Sequence, residues 1–255
     1  MYRLDNSWAP SQMVSVVGCG GTGSFVAEGL CRILPSHQIL LIDCDRIEER
    51  NLERSNYTTS DISEFKSEVL ARRLSAKYRR AIAYSTLPVG MVDLPRGLVI
   101  GCVDNGPARL QISHQISPPS WWIDSGNGRN YGQILIGNLK LDNLRFCFKG
   151  DICFGLPLPT LQRPDLLTEE KRRHDCNEAV ALNEQGPTIN QIMASLVLEV
   201  VRLFFDGTCK WMQLYVDLDA GTLYPVMSSP ESVSGITGVK IKRLIVPKGG
   251  EKDGA

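Results

Sequence analysis

Short apolar segments alternate with stretches of helical spacing in the first part of the chain. Residues 13–17 and 38–42 are apolar and predict strands, and residues 22–34 between them predict a helix. A strand, helix and strand in this order predict a crossover between parallel strands. Residues 66–78 predict a second helix, because their apolar side chains fall along one side.

Later segments predict strands joined by turns. Four apolar segments predict strands, at residues 81–87, 98–103, 121–124 and 133–137. The glycine-containing residues 125–129 predict a turn between the last two. Apolar and polar residues alternate over 211–218, which predicts a half-buried strand that ends at a turn over 219–221. We therefore expect an α/β fold with a Rossmann-like, mainly parallel sheet, helices on both faces, and antiparallel strands extending it in the C-terminal half.

A glycine-rich loop follows the first predicted strand. Gly18, Gly20 and Gly23 have the spacing Gly-x-Gly-x-x-Gly. In such loops one glycine forms a tight turn, one lets the backbone approach a phosphate, and one lets the helix pack against the strand. Asp43, at the end of the next strand, is placed to hydrogen-bond a ribose. These features alone fit a nicotinamide-dependent enzyme as well as an ATP-dependent one.

Charged residues farther along the chain favour ATP. Arg54 lies on a polar segment, Lys66 begins a predicted helix, and Asp104 follows an apolar strand. Breaking the bond between the α- and β-phosphates moves negative charge onto pyrophosphate, which fixed cations and a metal stabilise. Hydride transfer breaks no phosphate bond and needs little such charge. Arg54 and Lys66 are therefore candidate cations, and Asp104 is a candidate ligand of Mg²⁺, which prefers carboxylate oxygen.

Several separated motifs resemble the ThiF, MoeB and ubiquitin-activating family of adenylyltransferases. The motifs are GCGGTG, DCDRIEERNLERSN, KSEVLARRL, CVDNGPARL and DCNEAVALNEQGPTINQIMASLVLEVVRLFFDG, and the resemblance spans about residues 13–207. The likeness is strongest to the ThiF-related proteins of bacterial PRTRC gene cassettes, through IDSGNGRNYGQILIGN and LPLPTLQRPDLL. In this family ATP activates the C-terminal Gly-Gly carboxylate of a small ubiquitin-like or sulfur-carrier protein as an acyl-adenylate.

The resemblance implies a role for each matching position. It places Asp43 on the ribose and Asp104 on Mg²⁺, and it implies a catalytic set of Arg54, Lys66, Asp104 and Cys176. The implied nucleotide-binding residues are Gly18, Gly20, Gly21, Gly23, Asp43, Asp45, Asn51, Arg54, Lys66 and Asp104. For Asp45 an equal alternative is that it caps or braces the loop.

The cysteines and the N-terminus carry further expectations. Many family members hold a structural zinc with two Cys-x-x-Cys pairs, and the eight cysteines of this chain include no such pair, so we expect no zinc. Cys176 lies where related enzymes carry a cysteine that receives a thioester or persulfide, and neighbouring His174 favours its thiolate. The alternative is a structural Cys176. Relatives often complete the phosphate site with an arginine of the opposite subunit, so we expect a homodimer, with Arg3 as the candidate.

Composition agrees with an intracellular enzyme. The 28 basic and 28 acidic residues balance, so bulk charge indicates neither a nucleic-acid partner nor a membrane surface. The N-terminus lacks the apolar core of a secretion signal, and residues 194–205 are too short and too charged to span a bilayer. Irregularly spaced cysteines are typical of the reduced cytoplasm.

We expect one adenylation domain over residues 1–247, followed by a disordered tail over 248–255. Its nucleotide-binding half covers about residues 13–118, and its carrier-binding and crossover half covers about 119–247. Within the second half, residues 156–174 are proline-rich and charged without a sustained period, which predicts a mobile crossover.

The sequence therefore predicts ATP-dependent adenylation of a carrier's C-terminal carboxylate, with transfer to Cys176 as a further step. Three alternatives remain open. The first is a nicotinamide-dependent oxidoreductase, which leaves Arg54 and Lys66 without a role. The second is a non-catalytic scaffold subunit that binds a ubiquitin-like protein. The third is a tRNA-modifying relative, which the neutral charge does not support.

Overall fold

The computed structural model describes residues 1–7, 13–168, 186 and 188–247. The strands are β1 (Arg3–Leu4), β2 (Met13–Val17), β3 (Ile39–Ile42), β4 (Ala83–Ser85), β5 (Gly97–Gly101), β6 (Trp121–Asn127), β7 (Tyr131–Gly137), β8 (Phe148–Lys149), β9 (Ile152–Cys153), β10 (Trp211–Asp217) and β11 (Thr222–Met227). The α-helices are α1 (Gly21–Ile33), α2 (Lys66–Tyr78), α3 (Gly106–Gln115), α4 (Pro159–Gln162), α5 (Ile189–Phe205), α6 (Pro230–Thr237) and α7 (Ile241–Leu244). Short 3-10 turns cover Glu49–Asn51, Thr59–Asp61, Val89–Met91, Leu141–Asn143 and Pro164–Leu167.

One eight-stranded sheet organises the described residues, in the order β11-β10-β7-β6-β5-β2-β3-β4. In this order, neighbouring strands pair in parallel from β6 through β5, β2 and β3 to β4. The pairs β6–β7, β7–β10 and β10–β11 are antiparallel. A smaller sheet has the order β1-β9-β8. The predicted fold class, a mainly parallel sheet extended by antiparallel strands in the C-terminal half, is confirmed.

Helices cover both faces of the sheet. On β5, Leu98 and Ile100 pack into the core shared with α1, α2 and α5. Val99, between them, faces the other side and packs with Ile112 of α3. A strand buried on both faces needs a continuous apolar run, which accounts for the sequence of β5.

Helix α5 was not predicted from the sequence, although its signal is present. Met193, Val197, Val200 and Phe204 are buried at helical spacing and join the core. No helix among the described residues is long and apolar enough to cross a membrane.

The predicted mobile crossover at residues 156–174 is wrong for its described part. Residues 156–168 form α4 and a 3-10 turn, and Leu156, Leu158 and Leu166 are buried. Buried Gln162 donates from Nε2 to the carbonyl oxygen of Ile136 at 2.8 Å. Because prolines interrupt the segment, its apolar residues follow no helical or strand period. Residues 169–174 lie outside the described part of the chain.

Two predicted boundaries also change. The strand expected over residues 81–87 is limited to β4, whose first two side chains are exposed. The turn expected over 125–129 begins later, since β6 continues through Asn127 and its backbone pairs with Gly132 of β7. Polar and glycine residues at 125–127 continue the ladder because backbone groups alone make its hydrogen bonds.

A cluster of hydrogen bonds around Glu28 joins α1 to α2. The Glu28 carboxylate accepts from Lys77 of α2, from Arg32 at 2.9 Å and from Asn56 at 2.7 Å. The bond from Lys77 is the main cause that lowers the pKa of Glu28 to about 2, although partial burial opposes it. The folded protein therefore favours the ionised carboxylate.

Glu28→Gln removes this charge and should lower the free energy of unfolding at pH 7 by about 1–2 kcal/mol. Because the pKa of Glu28 is about 2 in the folded chain and 4.5 for an unperturbed glutamate, the stabilisation is fully present above about pH 5. It is lost as the pH falls from 4.5 to 2, so the difference between variant and wild type shrinks there. Urea unfolding of the variant and of wild type at several pH values measures this difference in the free energy of unfolding. The control is Glu53→Gln, because Glu53 is exposed. A difference that does not change with pH would contradict the assignment.

Candidate functional site

A cavity of about 640 Å³ lies at the carboxyl ends of β2, β3 and β5. Ligands of open parallel sheets bind at this edge, and the volume suits a small-molecule site. Nine of the predicted nucleotide-binding residues line it, namely Gly18, Gly20, Gly21, Asp43, Asp45, Asn51, Arg54, Lys66 and Asp104. The structure thus brings together residues that are far apart in the sequence.

The three glycines of the loop meet three different spatial requirements. Gly18 has φ +89°, and a Cβ on it would lie 2.6 Å from the carbonyl oxygen of Cys102. Gly20 lines the cavity, and a Cβ there would have no neighbour within 4 Å, so the backbone is open to a ligand. Gly23 does not line the cavity, because it packs α1 against the carbonyl oxygen of Gly18.

Asp43 is held by two backbone groups at the end of β3. Its Oδ2 accepts from the N–H of Cys19 at 2.6 Å, and its Oδ1 accepts from the N–H of Asp45 at 2.8 Å. Burial raises the pKa of Asp43, and the positive charge of Lys66 opposes this. A carboxylate oxygen accepts more than one hydrogen bond, so Asp43 keeps capacity for a ribose hydroxyl.

Lys66 is the first residue of α2, as predicted, and is 8% exposed. Its Nζ lies 3.0 Å from Oδ2 of Asp45. Asp45 therefore braces Lys66 at the cavity wall. Whether Asp45 also binds the nucleotide stays a prediction. Buried Tyr57 joins the same region to the glycine loop, since its hydroxyl donates to the carbonyl oxygen of Cys19 at 2.7 Å.

Arg54 and Asn51 lie on the segment between β3 and α2. Asn51 is fixed by a hydrogen bond from the N–H of Glu48 to its Oδ1, at 2.9 Å. Arg54 is partly buried at the cavity and makes no salt bridge with an acidic side chain of the described chain. An unpaired guanidinium beside a cavity can bind an anionic ligand.

Asp104 precedes α3, the helix that Asn105 caps by accepting from the N–H of Ala108 at 2.9 Å. Asp104 is exposed, and its Oδ1 accepts from Asn105 Nδ2 at 3.2 Å. The described residues contain no cluster of three or more His, Cys, Asp or Glu side chains that could hold a metal ion. A single carboxylate fits Mg²⁺, which binds one or two carboxylates and takes its other ligands from phosphates and water.

A buried ion pair near the turn at Asp104 was not predicted from the sequence. Arg109 of α3 lies 3.1 Å from the carboxylate of Asp124 on β6, and the two side chains are 3% and 0% exposed. Arg109 also donates from Nη2 to the carbonyl oxygen of Val103 at 2.8 Å. This contact fixes the backbone immediately before Asp104. Both residues fall within the motifs quoted above, but only the fold shows that α3 and β6 meet.

Besides Gly23, two predicted residues are not part of the described cavity. Cys176 lies outside the described residues, so its role stays a prediction. Arg3 lies on β1, 3.1 Å from Asp151, and does not line the cavity of its own chain. Its expected role in a partner's site also stays a prediction.

The chain belongs to the ThiF family, whose model matches residues 8–220. Ubiquitin-like modifier-activating enzyme 5 of Drosophila grimshawi is 26% identical over 208 residues, which cover 73% of this chain and 48% of that protein. The enzyme of the same name from Drosophila mojavensis is 30% identical over 139 residues, 46% of this chain and 34% of that protein. The chain thus spans about half or less of the length of these relatives.

Solved structures of E. coli MccB share the fold. MccB with ATP superposes with a TM-score of 0.59 and 19% identity, covering 89% of this chain and 66% of MccB. MccB with AMPCPP and MccA gives a TM-score of 0.61 and 17% identity, covering 85% and 63%. At this identity the likeness shows a shared architecture.

Arg109→Met should lower the free energy of unfolding by about 3–5 kcal/mol, because it leaves the Asp124 carboxylate buried without its cation. The double variant Arg109→Met with Asp124→Asn should recover part of this loss, since the buried charge is also removed. Urea unfolding of the two variants measures both effects. A single variant within about 1 kcal/mol of wild type would contradict a structural role for the pair.

Proposed function

We propose that this chain is an ATP-dependent adenylyltransferase that activates the C-terminal carboxylate of a small ubiquitin-like or sulfur-carrier protein ending in Gly-Gly. The observation that carries the proposal is the convergence of Asp43, Arg54, Lys66 and Asp104 on one cavity. Membership of the ThiF family supports it. Further support comes from relatives named for activating ubiquitin-like modifiers and from MccB, a protein solved with ATP and with MccA.

Different residues of the cavity bind the ribose, the phosphates and the adenine of ATP. Asp43 accepts from a ribose hydroxyl, and the open backbone at Gly20 lies against the phosphates. Apolar side chains on the cavity wall, Val89, Met91 and Val103 among them, suit the flat adenine ring. The adenine and the phosphates then lie on opposite sides of the ribose.

In the reaction a carboxylate oxygen of the carrier attacks the α-phosphorus of ATP. The bond from this phosphorus to the bridging oxygen of the β-phosphate breaks, and its electron pair leaves with pyrophosphate. The product is the acyl-adenylate of the carrier. Arg54 and Lys66 stabilise the charge that grows on pyrophosphate. Mg²⁺ supplies further neutralisation of the phosphates when it is bound, and Asp104 would hold it.

A nicotinamide-dependent reaction does not use this arrangement. It breaks no phosphate bond, so it gives Lys66, which Asp45 braces at the cavity, no charge to stabilise during the chemical step. The scaffold alternative predicts binding of a carrier without consumption of ATP. Pyrophosphate exchange distinguishes these two from adenylation.

Further parts of the proposal rest on the sequence alone. We propose a protein of the PRTRC type with one adenylation domain over residues 1–247, acting as a cytoplasmic homodimer without zinc and without nucleic acid or membrane as a partner. We also propose that the acyl group passes from the adenylate to the Cys176 thiolate, with AMP as the leaving group. The irregular cysteine spacing and the motif positions support these statements.

Arg54→Ala and Lys66→Ala should each lower the rate of ATP–pyrophosphate exchange by about a hundredfold, with a smaller effect on KM for ATP. The reason is that both cations act mainly on charge that develops in the transition state. Exchange is measured with a purified small ubiquitin-like protein that ends in Gly-Gly. Arg50→Ala is the control, because Arg50 pairs with Glu48 and does not line the cavity. Wild-type exchange in both alanine variants would contradict the assignment.

Asp104→Asn keeps the shape of the side chain and removes its negative charge. We expect a sharp fall in exchange at ordinary magnesium concentrations and partial recovery at higher ones, because the variant binds the ion more weakly. Titration of exchange against magnesium measures the shift. Asp142→Asn, at an exposed site outside the cavity, should titrate like wild type. If Asp104→Asn gave the same magnesium titration curve as wild type, Asp104 would have only a structural role in the turn before α3.

Cys176→Ala should retain ATP–pyrophosphate exchange and lose any thiol-labile adduct with the carrier. The two activities separate because adenylation uses the cavity and needs no thiol. Intact mass spectrometry after incubation with carrier and ATP detects the adduct. An adduct that persists in the variant would make Cys176 a structural residue.

A further inference from the structure

The cavity continues past the predicted nucleotide residues toward the antiparallel strands. Gly18, Asp43 and Val103 follow β2, β3 and β5, whereas β6 and β7 lie one and two strands beyond β5, roughly 5 and 10 Å away. The residues that line this extension are Ser125, Gly126, Asn127, Gly128, Tyr131, Gln133 and Asn190. In the proposed function the nucleotide occupies the ends of β2, β3 and β5, which leaves the extension available to the second reactant.

A buried asparagine with an unsatisfied donor lies at the junction of the two parts. Asn190, in the first turn of α5, is 0% exposed and lines the cavity. Its Oδ1 accepts from Thr22 Oγ1 at 3.1 Å and from Asn127 Nδ2 at 3.2 Å. These two bonds fix the orientation of the amide. Its Nδ2 has no hydrogen-bond partner among the described residues.

An amide donor that is buried without an acceptor destabilises the folded chain, so its retention needs an explanation. The amide also lies against the glycine loop, since a Cβ on Gly21 would be 2.8 Å from Asn190 Nδ2. A ligand in the cavity beside the loop would supply the missing acceptor. The unsatisfied Nδ2 of Asn190 therefore lies between the glycine loop and the extension of the cavity.

The surroundings of Asn190 favour an anionic acceptor. Helix α5 has 17 residues, and the side chain of Thr188 does not cap it, so its N-terminus carries uncompensated partial positive charge. The Ser125 hydroxyl, 3% exposed, is a second buried donor without a partner among the described residues. Arg54 and Lys66, the proposed phosphate cations, lie on the other side of β2 from β6, whereas Asn190 accepts from Asn127 at the end of β6. This separation favours the acyl substrate over the phosphates as the source of the acceptor.

We propose, on the basis of the proposed function, that Asn190 donates from Nδ2 to the substrate carboxylate. It binds the oxygen that does not attack, which becomes the carbonyl oxygen of the acyl-adenylate. Thr22 and Asn127 hold the amide in the orientation that this requires. Asn190 thus orients the nucleophile without taking part in proton transfer or in phosphate binding.

Isothermal titration calorimetry with two defined probes tests this role. The probes are AMP and glycyl-sulfamoyl-adenosine, a stable mimic of an acyl-adenylate. Asn190→Ala and the isosteric Asn190→Asp should weaken binding of the mimic by about tenfold or more and change the affinity for AMP by less than about twofold. The aspartate variant keeps the side-chain volume, so it reports on the donor where the alanine variant loses packing. Gln191→Ala, with an exposed amide on the same helical turn, is the control and should bind both probes like wild type.

The outcomes separate this inference from the proposed function. Unchanged affinity of both Asn190 variants for the mimic would overturn the carboxylate contact. An equal loss of affinity for AMP and for the mimic would also overturn it, because it would indicate a phosphate or purely structural role. Wild-type protein that binds neither probe would overturn the proposed function itself, and the inference with it.

Discussion

The hydrogen bond from the Cys19 backbone to the Asp43 carboxylate is the contact on which the cavity depends. It connects the end of β3 to the glycine loop, at 2.6 Å, and the loop in turn begins α1. The same carboxylate accepts from the backbone of Asp45, whose side chain braces Lys66. One buried carboxylate thus fixes the glycine loop and, through Asp45, the position of Lys66. The Tyr57 hydroxyl also donates to the carbonyl oxygen of Cys19, which is a second contact to the loop.

Parallel strands explain why such a junction forms at all. Their carboxyl ends meet at one edge of the sheet, so residues that follow β2, β3 and β5 converge although long helices separate them in sequence. The antiparallel extension through β6 and β7 widens the same edge and adds the second part of the cavity. Arg109 and Asp124 join the two parts, since their ion pair connects α3 to β6 behind Asp104.

Most of the correct predictions came from patterns of residues that are close together in the sequence. The glycine spacing, the acidic end of β3 and the first residue of α2 each depend on neighbours within a few positions. Gly18, Gly20, Asp43 and Lys66 from these patterns line the cavity. The ion pair of Arg109 was missed because it depends on how α3 packs against β6. Asn190 was missed for the same reason, since its partner Thr22 is 168 residues away. The prediction of a mobile segment was wrong for residues 156–168, because prolines interrupt the spacing of the buried leucines.

In the proposed reaction, ATP bound in the cavity is cleaved between its α- and β-phosphates. The most direct test is to incubate the protein with ATP labelled at the α-phosphate, magnesium and the Gly-Gly carrier, and to separate the labelled products after acid quenching. If adenylation occurs, the label is found on an acyl-adenylate of the carrier, and as AMP after its hydrolysis, with one pyrophosphate released for each carrier activated. Labelled ADP as the product, or ATP recovered intact beside bound carrier, would contradict it.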